Sequence, residues 1–260
     1  DIENIEVEAK ITKPKPSTNP PTGQKWAWDA DSKDWVLVKA SEELDRIHIS
    51  NSDSGKIKET RVFGENLCLT RTITAKLGEN RLFIHDEVEN LGFSATPLMM
   101  LYHINGGYPA VDDGSELLAP VLKAEPRDDE AKKEMNKFNK FLPPTPNFKE
   151  RVYYLDIKAD KNGLCHAALI NRKFDGGNGF GFYVSYKKSQ LPIMVEWKNN
   201  AEGTYVVGIE PSNCKVGGRA KVRQSGELLF IKAGEIKKFD LEIGVLTGKK
   251  DIQLFERKIK

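Results

Sequence analysis

Hydrophobic and polar residues alternate along much of this chain, with the two-residue period of a β-strand that has one buried face. The clearest run is 236–245, in which Phe239, Leu241 and Ile243 alternate with charged residues. Glycine-rich and polar turns separate the runs. The alternation predicts strands at 67–77, 81–89, 151–157, 164–170, 179–186, 191–198, 203–210, 227–231 and 236–245, with two shorter strands at 25–29 and 34–38.

One segment departs from this pattern and indicates a helix. Residues 127–141 carry acidic side chains first and lysines later, which is the order that the helix dipole prefers, and a proline-rich stretch follows at once. We therefore expect one short helical insertion near 127–141. Many short strands with so little helix predict an all-β fold, an antiparallel β-sandwich or barrel.

The first two dozen residues differ in composition from the rest of the chain. Residues 13–23 contain four prolines and no large apolar side chain, which is typical of an extended, solvated linker. We therefore predict a proline-rich arm or linker over 1–24 and a single β-sandwich domain over 25–260.

Charge and cysteine usage exclude several classes of protein. The 40 Lys and Arg residues nearly balance the 38 Asp and Glu residues, so the basic surplus that nucleic-acid binders direct at phosphates is missing. No apolar run approaches the roughly 18 residues of a membrane span. Cys68, Cys165 and Cys214 form no CxxC pair, which is typical of reduced thiols. The acidic N-terminus lacks a signal-peptide pattern, so we expect a cytoplasmic protein without nucleic-acid or membrane partners.

Motifs for cofactors and metals are missing as well. The sequence contains no GxxxxGK[ST], no GxGxxG and no HExxH. The turn at 160–163 imitates part of a calcium loop, but Lys158 and Leu169 occupy its first and last ligand positions. With four histidines in all, a His-rich metal site is not expected. We predict neither a metal nor a cofactor.

Two predicted strands carry polar residues where a buried strand would carry apolar ones. His103 and Asn105 follow an apolar run and share a face, and Glu210 ends another apolar strand two residues after Gly208. A partly desolvated carboxylate has a raised pKa that suits a general base, and a neighbouring histidine can act as the acid. The alternatives are structural: a hydrogen-bonded core histidine, and a carboxylate that ends its strand at a solvated turn.

Three further side chains are candidates for contact with a ligand. Trp197 and Lys198 are either a sugar-stacking platform with a hydrogen-bonding neighbour, or an interfacial tryptophan beside a solvated lysine. Arg71 lies among apolar residues, so it is either a substrate contact or half of a buried ion pair, and the pattern favours the ion pair.

Several motifs follow one another in a fixed order: FGENL and LTRTI at 63–67 and 69–73, VENLG and TPL at 88–92 and 96–98, LYHIN at 101–105, GTY at 203–205 and GIEP at 208–211. Together they resemble the galactose mutarotase-like superfamily. They are most similar to a bacterial branch of aldose 1-epimerase-like proteins, long described as a domain of unknown function. The resemblance covers about 55–260 and, more loosely, the chain from Trp26.

The resemblance implies a β-sandwich of two antiparallel sheets, a supersandwich, with the active site on its concave face. In aldose 1-epimerases a Glu takes the proton of the anomeric hydroxyl while a His protonates the ring oxygen. The ring then opens, the C1–C2 bond rotates and the reverse steps close the ring, without metal or cofactor. Matched by motif, Glu210 is the base and His103 the acid. Asn105 lies beside the sugar, and Trp197 and Lys198 match a Trp-Lys pair of the family.

The N-terminal region departs from that branch. Its members carry additional N-terminal strands with a His-Gly-Arg-Ile-Ser-Asn segment, whose His and Arg line the sugar site. Here no His-Gly dipeptide occurs, and the nearest string, RIHISN at 46–51, has a different order. We therefore assign no substrate role to His48.

Three hypotheses about function follow. The first is an aldose 1-epimerase, an isomerase whose partner is a small-molecule sugar. The second is a non-catalytic carbohydrate-binding β-sandwich that lacks part of the family's sugar pocket. The third is structural: an incomplete scaffold that requires a partner, or forms a homo-oligomer, to cover an exposed sheet edge.

Overall fold

The structure is a computed structural model that describes residues 24–29, 34–39, 50–62 and 64–260. Most of the predicted arm at 1–24, as well as His48, lies outside the described residues, and the division into arm and domain stays a prediction. Among the helices that are described, none combines the length and the apolar character needed to cross a bilayer.

Strands dominate the described part of the chain. In chain order they are β1 (Gln24–Asp29), β2 (Asp34–Lys39), β3 (Ser50–Thr60), β4 (Asn66–Lys76), β5 (Arg81–Asn90), β6 (Thr96–Pro97), β7 (Ile104–Gly106), β8 (Glu116–Leu118), β9 (Val121–Pro126), β10 (Arg151–Ile157), β11 (Leu164–Asn171), β12 (Phe180–Lys187), β13 (Ile193–Asn199), β14 (Val206–Ser212), β15 (Phe230–Ile231) and β16 (Ile236–Thr247). The strands that the alternation predicts are present, with boundaries that differ by a few residues.

Two large antiparallel sheets contain most of these strands. The larger sheet has the order β3-β4-β5-β16-β12-β11-β8, and the smaller sheet has the order β7-β14-β13-β10-β9. The pairs β1-β2 and β6-β15 form two-stranded sheets. This arrangement confirms the predicted all-β, antiparallel sandwich.

The core lies between the two large sheets, because each contributes the apolar face of its alternating strands. Val207 and Ile209 of β14 and Leu155 of β10 belong to the same buried cluster as Leu169 of β11 and Leu241 of β16. Full burial of such side chains contributes roughly 1.5–3 kcal/mol each to the free energy of unfolding. The core thereby fixes which face of β14 is left for Glu210.

Helices are short. They are α1 (Asp129–Lys132), a 3₁₀ turn (Met135–Lys137), α2 (Phe174–Gly177), α3 (Arg219–Gln224) and α4 (Lys249–Ile259). The sequence analysis does not predict α4. Its Ile252 and Phe255 pack with Ala168, Ile170 and Leu246, on the side of the larger sheet that faces away from the core. That contact explains why β11 is buried on both faces.

The predicted insertion at 127–141 is helical only in part. Asp128 caps α1 by accepting a hydrogen bond from the backbone N–H of Ala131 at 2.9 Å. After α1 the chain continues as the 3₁₀ turn, and the Nζ of Lys198 donates to the carbonyls of Lys137 and Lys140. These carbonyls therefore accept hydrogen bonds from a side chain of β13 and not from the backbone of a longer helix, and this contact holds the insertion against the sheet.

Strand β3 escapes the sequence analysis because its residues are mostly polar and do not alternate. It lies at one edge of the larger sheet, and its side chains from Asp53 to Thr60 are exposed. Polar and charged residues are a common protection of an edge strand against pairing with another chain. The predicted homo-oligomer stays a prediction.

Candidate functional site

The candidate site lies on the face of the smaller sheet that points away from the core. Along β14, Val207 and Ile209 are buried between the sheets, so the alternating residues Gly208 and Glu210 lie on the opposite face. Apolar burial on one side of the strand thus presents a carboxylate on the other.

The strand register brings the other candidates to the same face. Gly208 lies directly opposite Trp197 of β13 on one side and Asn105 of β7 on the other. Residues that are directly opposite in an antiparallel pair point to the same face. His103, two residues before Asn105 in the sequence, reaches Glu210 from this side. Four of the six predicted site residues therefore converge: His103, Asn105, Trp197 and Glu210.

His103 and Glu210 are in contact. The Nε2 of His103 lies 3.0 Å from the Oε1 of Glu210, and the side chain of Glu210 is only 4% exposed whereas that of His103 is 49% exposed. The approach is not an aligned hydrogen bond, since Oε1 has no hydrogen-bond partner among the described residues. The pair combines an enclosed carboxylate with a ring that solvent or a ligand can reach.

Burial changes the acidity of this carboxylate. Desolvation raises the pKa of Glu210 to about 7, because the charged form is less well solvated than in water. A base with a pKa near neutrality can take a proton and return it at physiological pH. The structure shows that Glu210 is buried, and its predicted role as a base stays a prediction.

The Glu210 carboxylate lies directly beside Gly208. A Cβ built on Gly208 would lie 2.3 Å from the Oε1 of Glu210, well inside van der Waals contact. A glycine within a strand can leave room for a ligand or for another backbone. In the structure the space is taken by the Glu210 carboxylate itself.

Trp197 borders the pair. Its ring lies 5.5 Å from the ring of His103, edge to face at 64°. The indole Nε1 donates a hydrogen bond to the Oε2 of Glu150 at 2.7 Å. Sequence reasoning misses Glu150, because it precedes β10 in a polar segment and carries no periodic signal. Only the fold brings it to the indole of β13.

Lys198 points the other way. It is fully buried on the core face of β13, where its Nζ donates to the carbonyls of Lys137 and Lys140 and lies 5.4 Å from the centre of the Phe141 ring. This placement contradicts the predicted sugar contact for Lys198. The physical reason is the two-residue period, which sends neighbours in a strand to opposite faces.

Arg71 forms the ion pair that its sequence context favours. Its Nη2 donates to the Oδ2 of Asp86 at 2.7 Å and its Nε to the Oδ1 at 2.9 Å, and Asp86 is fully buried. The hydroxyl of Tyr102 donates to the same Oδ2 at 2.6 Å. Asp86, paired with Arg71, thus anchors Tyr102, the residue before His103, to the larger sheet. Its predicted contact with a sugar stays untested.

The other described histidines belong to structural contacts. The Nδ1 of His85 lies 2.6 Å from the Oδ1 of Asp240, and the Nδ1 of His166 lies 2.7 Å from the Oγ of Ser185. Within the described residues no group of three or more His, Cys, Asp or Glu side chains has the geometry of a metal site.

Cavity volume alone does not mark the site. A surface cavity of about 610 Å³ lies between the turn after β3 and the loop before β6. Its carboxylate, Glu65, is paired with Arg219. A hydrogen bond from its own backbone, together with the side-chain hydrogen bond from Arg219, lowers the pKa of Glu65. The wall of this cavity therefore offers an ordinary ionised acid, whereas Glu210 has a raised pKa and a histidine beside it.

Comparison with known families decides the assignment. The sequence profile of a family described as a domain of unknown function, DUF4432, matches residues 32–245. The chain belongs to this family. Glu210, His103 and Trp197 all lie within the DUF4432 match. No curated protein matches the sequence.

Solved structures share the fold of this DUF4432 chain. A protein from Klebsiella pneumoniae for which aldose 1-epimerase activity has been proposed is 26% identical, with a TM-score of 0.77 over 81% of this chain. The match spans only 54% of the length of the Klebsiella protein.

More distant structures agree on the architecture. A galactose mutarotase-like protein from Clostridium acetobutylicum is 15% identical, with a TM-score of 0.50 over 79% of this chain and 64% of its own. A galactose mutarotase related enzyme from Lactobacillus acidophilus is 12% identical, with a TM-score of 0.51 over 77% and 69%. At these identities the likeness concerns the fold alone. The predicted galactose mutarotase-like sandwich is confirmed.

Proposed function

We propose that this protein is an aldose 1-epimerase that interconverts the anomers of a sugar, with Glu210 as base and His103 as acid. The observation that carries the proposal is the contact of a buried carboxylate, whose pKa is raised to about 7, with a half-exposed histidine 3.0 Å away. The fold and the family resemblance support the same reaction.

The chemistry requires one proton acceptor and one proton donor. Glu210 takes the proton of the anomeric hydroxyl, the electron pair of that O–H bond forms the C1 carbonyl, and the bond from C1 to the ring oxygen breaks. His103 donates its Nε2 proton to the ring oxygen. After rotation about the C1–C2 bond, the reverse transfers close the ring in either configuration and restore both side chains.

The two groups lie close enough to serve one sugar. The anomeric oxygen and the ring oxygen are both bonded to C1, so an acid and a base in contact address neighbouring atoms. Trp197 offers an apolar ring surface beside the pair, of the kind on which the C–H face of a sugar packs. Asn105 supplies an amide donor and acceptor on the same face.

Exchange between anomers measures the activity directly. We would follow the anomeric protons by NMR saturation transfer across a panel of aldoses, with wild type, Glu210→Gln and His103→Asn. Loss of a general acid or base should reduce the enzyme-dependent exchange rate about 10²- to 10⁴-fold.

The chain offers a matched control for these variants. His85 is also a half-exposed histidine beside a carboxylate, but Lys187 and Gln190 also donate to its partner Asp240, whose pKa is lowered to about 2. His85→Gln should leave exchange unchanged. A wild-type rate no faster than that of the Glu210→Gln, His103→Asn double variant would refute the proposal.

A second candidate function is carbohydrate binding without catalysis. The observation behind it is the set of side chains on the open face, where Trp197 and Asn105 offer an aromatic ring and an amide that can bind a sugar without any proton transfer. A sugar that raises the melting temperature in a thermal-shift assay, without faster anomer exchange, would favour this function over the first.

We further propose a cytoplasmic location. Its support is that Cys68, Cys165 and Cys214 are all free and buried, which suits a reducing compartment. Cell fractionation with an antibody against the protein would test the location, and recovery outside the cytoplasm would contradict it.

A further inference from the structure

Glu150 holds the indole that borders the candidate site. Its Oε2 accepts the Nε1–H of Trp197 at 2.7 Å, and its Oε1 accepts from the Nη2 of Arg127 at 3.1 Å. Arg127 in turn donates from its Nε to Asp128 at 2.8 Å, the residue that caps α1. One face of the site is thereby linked to the start of the helical insertion.

The orientation of the indole matters because neither of its directly opposite neighbours, Gly208 and Val152, carries a polar side chain that could accept from its Nε1–H. Trp197 lies opposite Gly208, which has no side chain to pack against the ring. Val152 is its cross-strand neighbour on β10. Glu150 supplies that acceptor, and a hydrogen bond to a charged group restricts the rotamers of the ring.

The indole in turn contacts the proposed acid. The rings of Trp197 and His103 meet edge to face with centroids 5.5 Å apart. His103 is 49% exposed, and its approach to Glu210 is not an aligned hydrogen bond. An aromatic edge contact at this distance is directional, so a turn of the indole would change the angle of the imidazole.

We propose that Glu150 is a positioning residue of the candidate site: it fixes the indole of Trp197, and the indole fixes the imidazole of His103. Its consequence for catalysis rests on the proposed function, whereas the positioning itself does not. The competing explanation is an exposed pair on the surface, in which case the loss of Glu150 would change neither ring.

The experiment reads both rings and the reaction. The chain has four tryptophans and four histidines, so their side-chain signals form small sets in ¹H–¹⁵N and ¹H–¹³C NMR spectra. Trp197→Phe and His103→Asn assign the two signals of interest. Glu150→Ala should move the indole N–H signal upfield, toward that of a water-exposed indole, and should move the ring C–H signals of His103.

Glu150→Gln is the conservative variant, because its amide oxygen still accepts from the indole. It should restore most of both shifts and most of the exchange rate, whereas Glu150→Ala should lower the exchange rate about tenfold, mainly through kcat. In combination with Trp197→Phe, Glu150→Ala should add no further loss, since the contact it supports is already gone.

Glu125→Gln is the matched control. Glu125 lies on β9, directly opposite Tyr154 of β10, and is paired with Lys215. It is thus an ion-paired carboxylate of the same sheet, but it is not the acceptor of the indole N–H. It should leave both ring signals in place. Unchanged Trp197 and His103 signals in Glu150→Ala would overturn the proposal. If the wild type fails to accelerate anomer exchange, the proposed function fails, while the NMR signals still decide the role of Glu150.

Discussion

Two buried carboxylates on neighbouring parts of the fold differ in their hydrogen-bond partners. Asp86, on the larger sheet, is fully enclosed and accepts hydrogen bonds from Arg71 and from the hydroxyl of Tyr102. Glu210, on the smaller sheet, is almost as enclosed, yet its Oε1 has no aligned partner among the described residues. Tyr102 and His103 are consecutive in the sequence, so two neighbouring residues contact the two carboxylates: Tyr102 contacts Asp86 and His103 contacts Glu210.

The difference separates a structural role from a chemical one. A carboxylate that is hydrogen-bonded and paired stays ionised and holds its neighbours in place. A carboxylate that is desolvated without a strong partner has a raised pKa, and it can exchange a proton near neutral pH.

A third carboxylate shows that a missing partner is not sufficient. Glu196, on the core face of β13, has no hydrogen-bond partner for either carboxylate oxygen among the described residues, and burial raises its pKa. It is fully enclosed, so no substrate can reach it. What distinguishes Glu210 is the half-exposed histidine at its open side.

The largest change in the free energy of unfolding should come from removing the hydrogen-bonded carboxylate of Asp86. Asp86→Ala leaves the guanidinium of Arg71 and the buried hydroxyl of Tyr102 without their shared acceptor. Removal of one partner of a buried pair costs about 3–5 kcal/mol, and we expect the low end because Arg71 is about one-third exposed. Urea denaturation measures the loss.

Tyr102→Phe provides a milder break of the same network. It removes one hydrogen bond and keeps the ion pair, so the free energy of unfolding should fall by about 1 kcal/mol. If Asp86→Ala unfolds at the urea concentration of the wild type, the network does not stabilise the fold and the contrast with Glu210 disappears.

Replacement of Glu210 should change the free energy of unfolding in the opposite direction, toward greater stability. The pKa of Glu210 rises from 4.5 to about 7 on folding, so the folded state binds more protons than the unfolded state between these values. Stability therefore falls as the pH rises through this window. At pH 8, Glu210→Gln removes the buried charge and should stabilise the protein by about 2 kcal/mol, although it abolishes the proposed activity.

The pH is the control for that gain. At pH 4 the Glu210 carboxyl of the wild type is protonated in the folded state and largely protonated in the unfolded state, so the urea midpoints of wild type and Glu210→Gln should nearly coincide. A destabilised Glu210→Gln at pH 8 would show that the ionised carboxylate has partners that the geometry does not reveal.

Catalysis should follow the same ionisation. Only the deprotonated form of Glu210 accepts a proton, so the proposed exchange rate should rise about tenfold per pH unit below about 7. Each such step corresponds to about 1.4 kcal/mol. Above about 7 the rate should stop rising, and it should fall once His103 no longer carries the proton that it donates. The rate of exchange, measured by NMR between pH 5 and 9, gives the profile. A rate that is independent of pH over this range would exclude Glu210 as the base.

The sequence predicts the fold far better than it predicts the contacts of each side chain. Period-two alternation locates β14 and β16, because the core buries one face of each. It cannot locate the polar edge strand β3, and it does not show that α4 packs on the larger sheet. These depend on contacts between distant parts of the chain.

The residues of the candidate site also differ in how well the sequence predicts them. His103 and Glu210 stand out in the sequence because they interrupt apolar strands. Lys198 does not reach the site, because neighbours in a strand point to opposite faces and Lys198 therefore faces the core while Trp197 faces the site. Glu150 has no local signal at all, because only the pairing of β10 with β13 brings it to the indole.

The smallest change tests the contrast most directly. Gly208→Ala adds one Cβ at a point 2.3 Å from the Oε1 of Glu210. The carboxylate is the end of a flexible side chain and can swing away, so we expect a loss of only about 1 kcal/mol in the free energy of unfolding. Its displacement from His103 should nevertheless lower the exchange rate about 10²-fold, since small misplacements of a catalytic group have large effects.

Gly55→Ala is the matched control for this variant. Gly55 also lies in a strand, but a Cβ there would meet no atom within 4 Å, so neither stability nor exchange should change much. Activity at the wild-type level in Gly208→Ala would mean that Glu210 does not need its observed position. In that case the enclosure of Glu210 over a bare glycine would be a packing feature like that of Glu196, and the line between the structural and the chemical carboxylate would have to be drawn elsewhere.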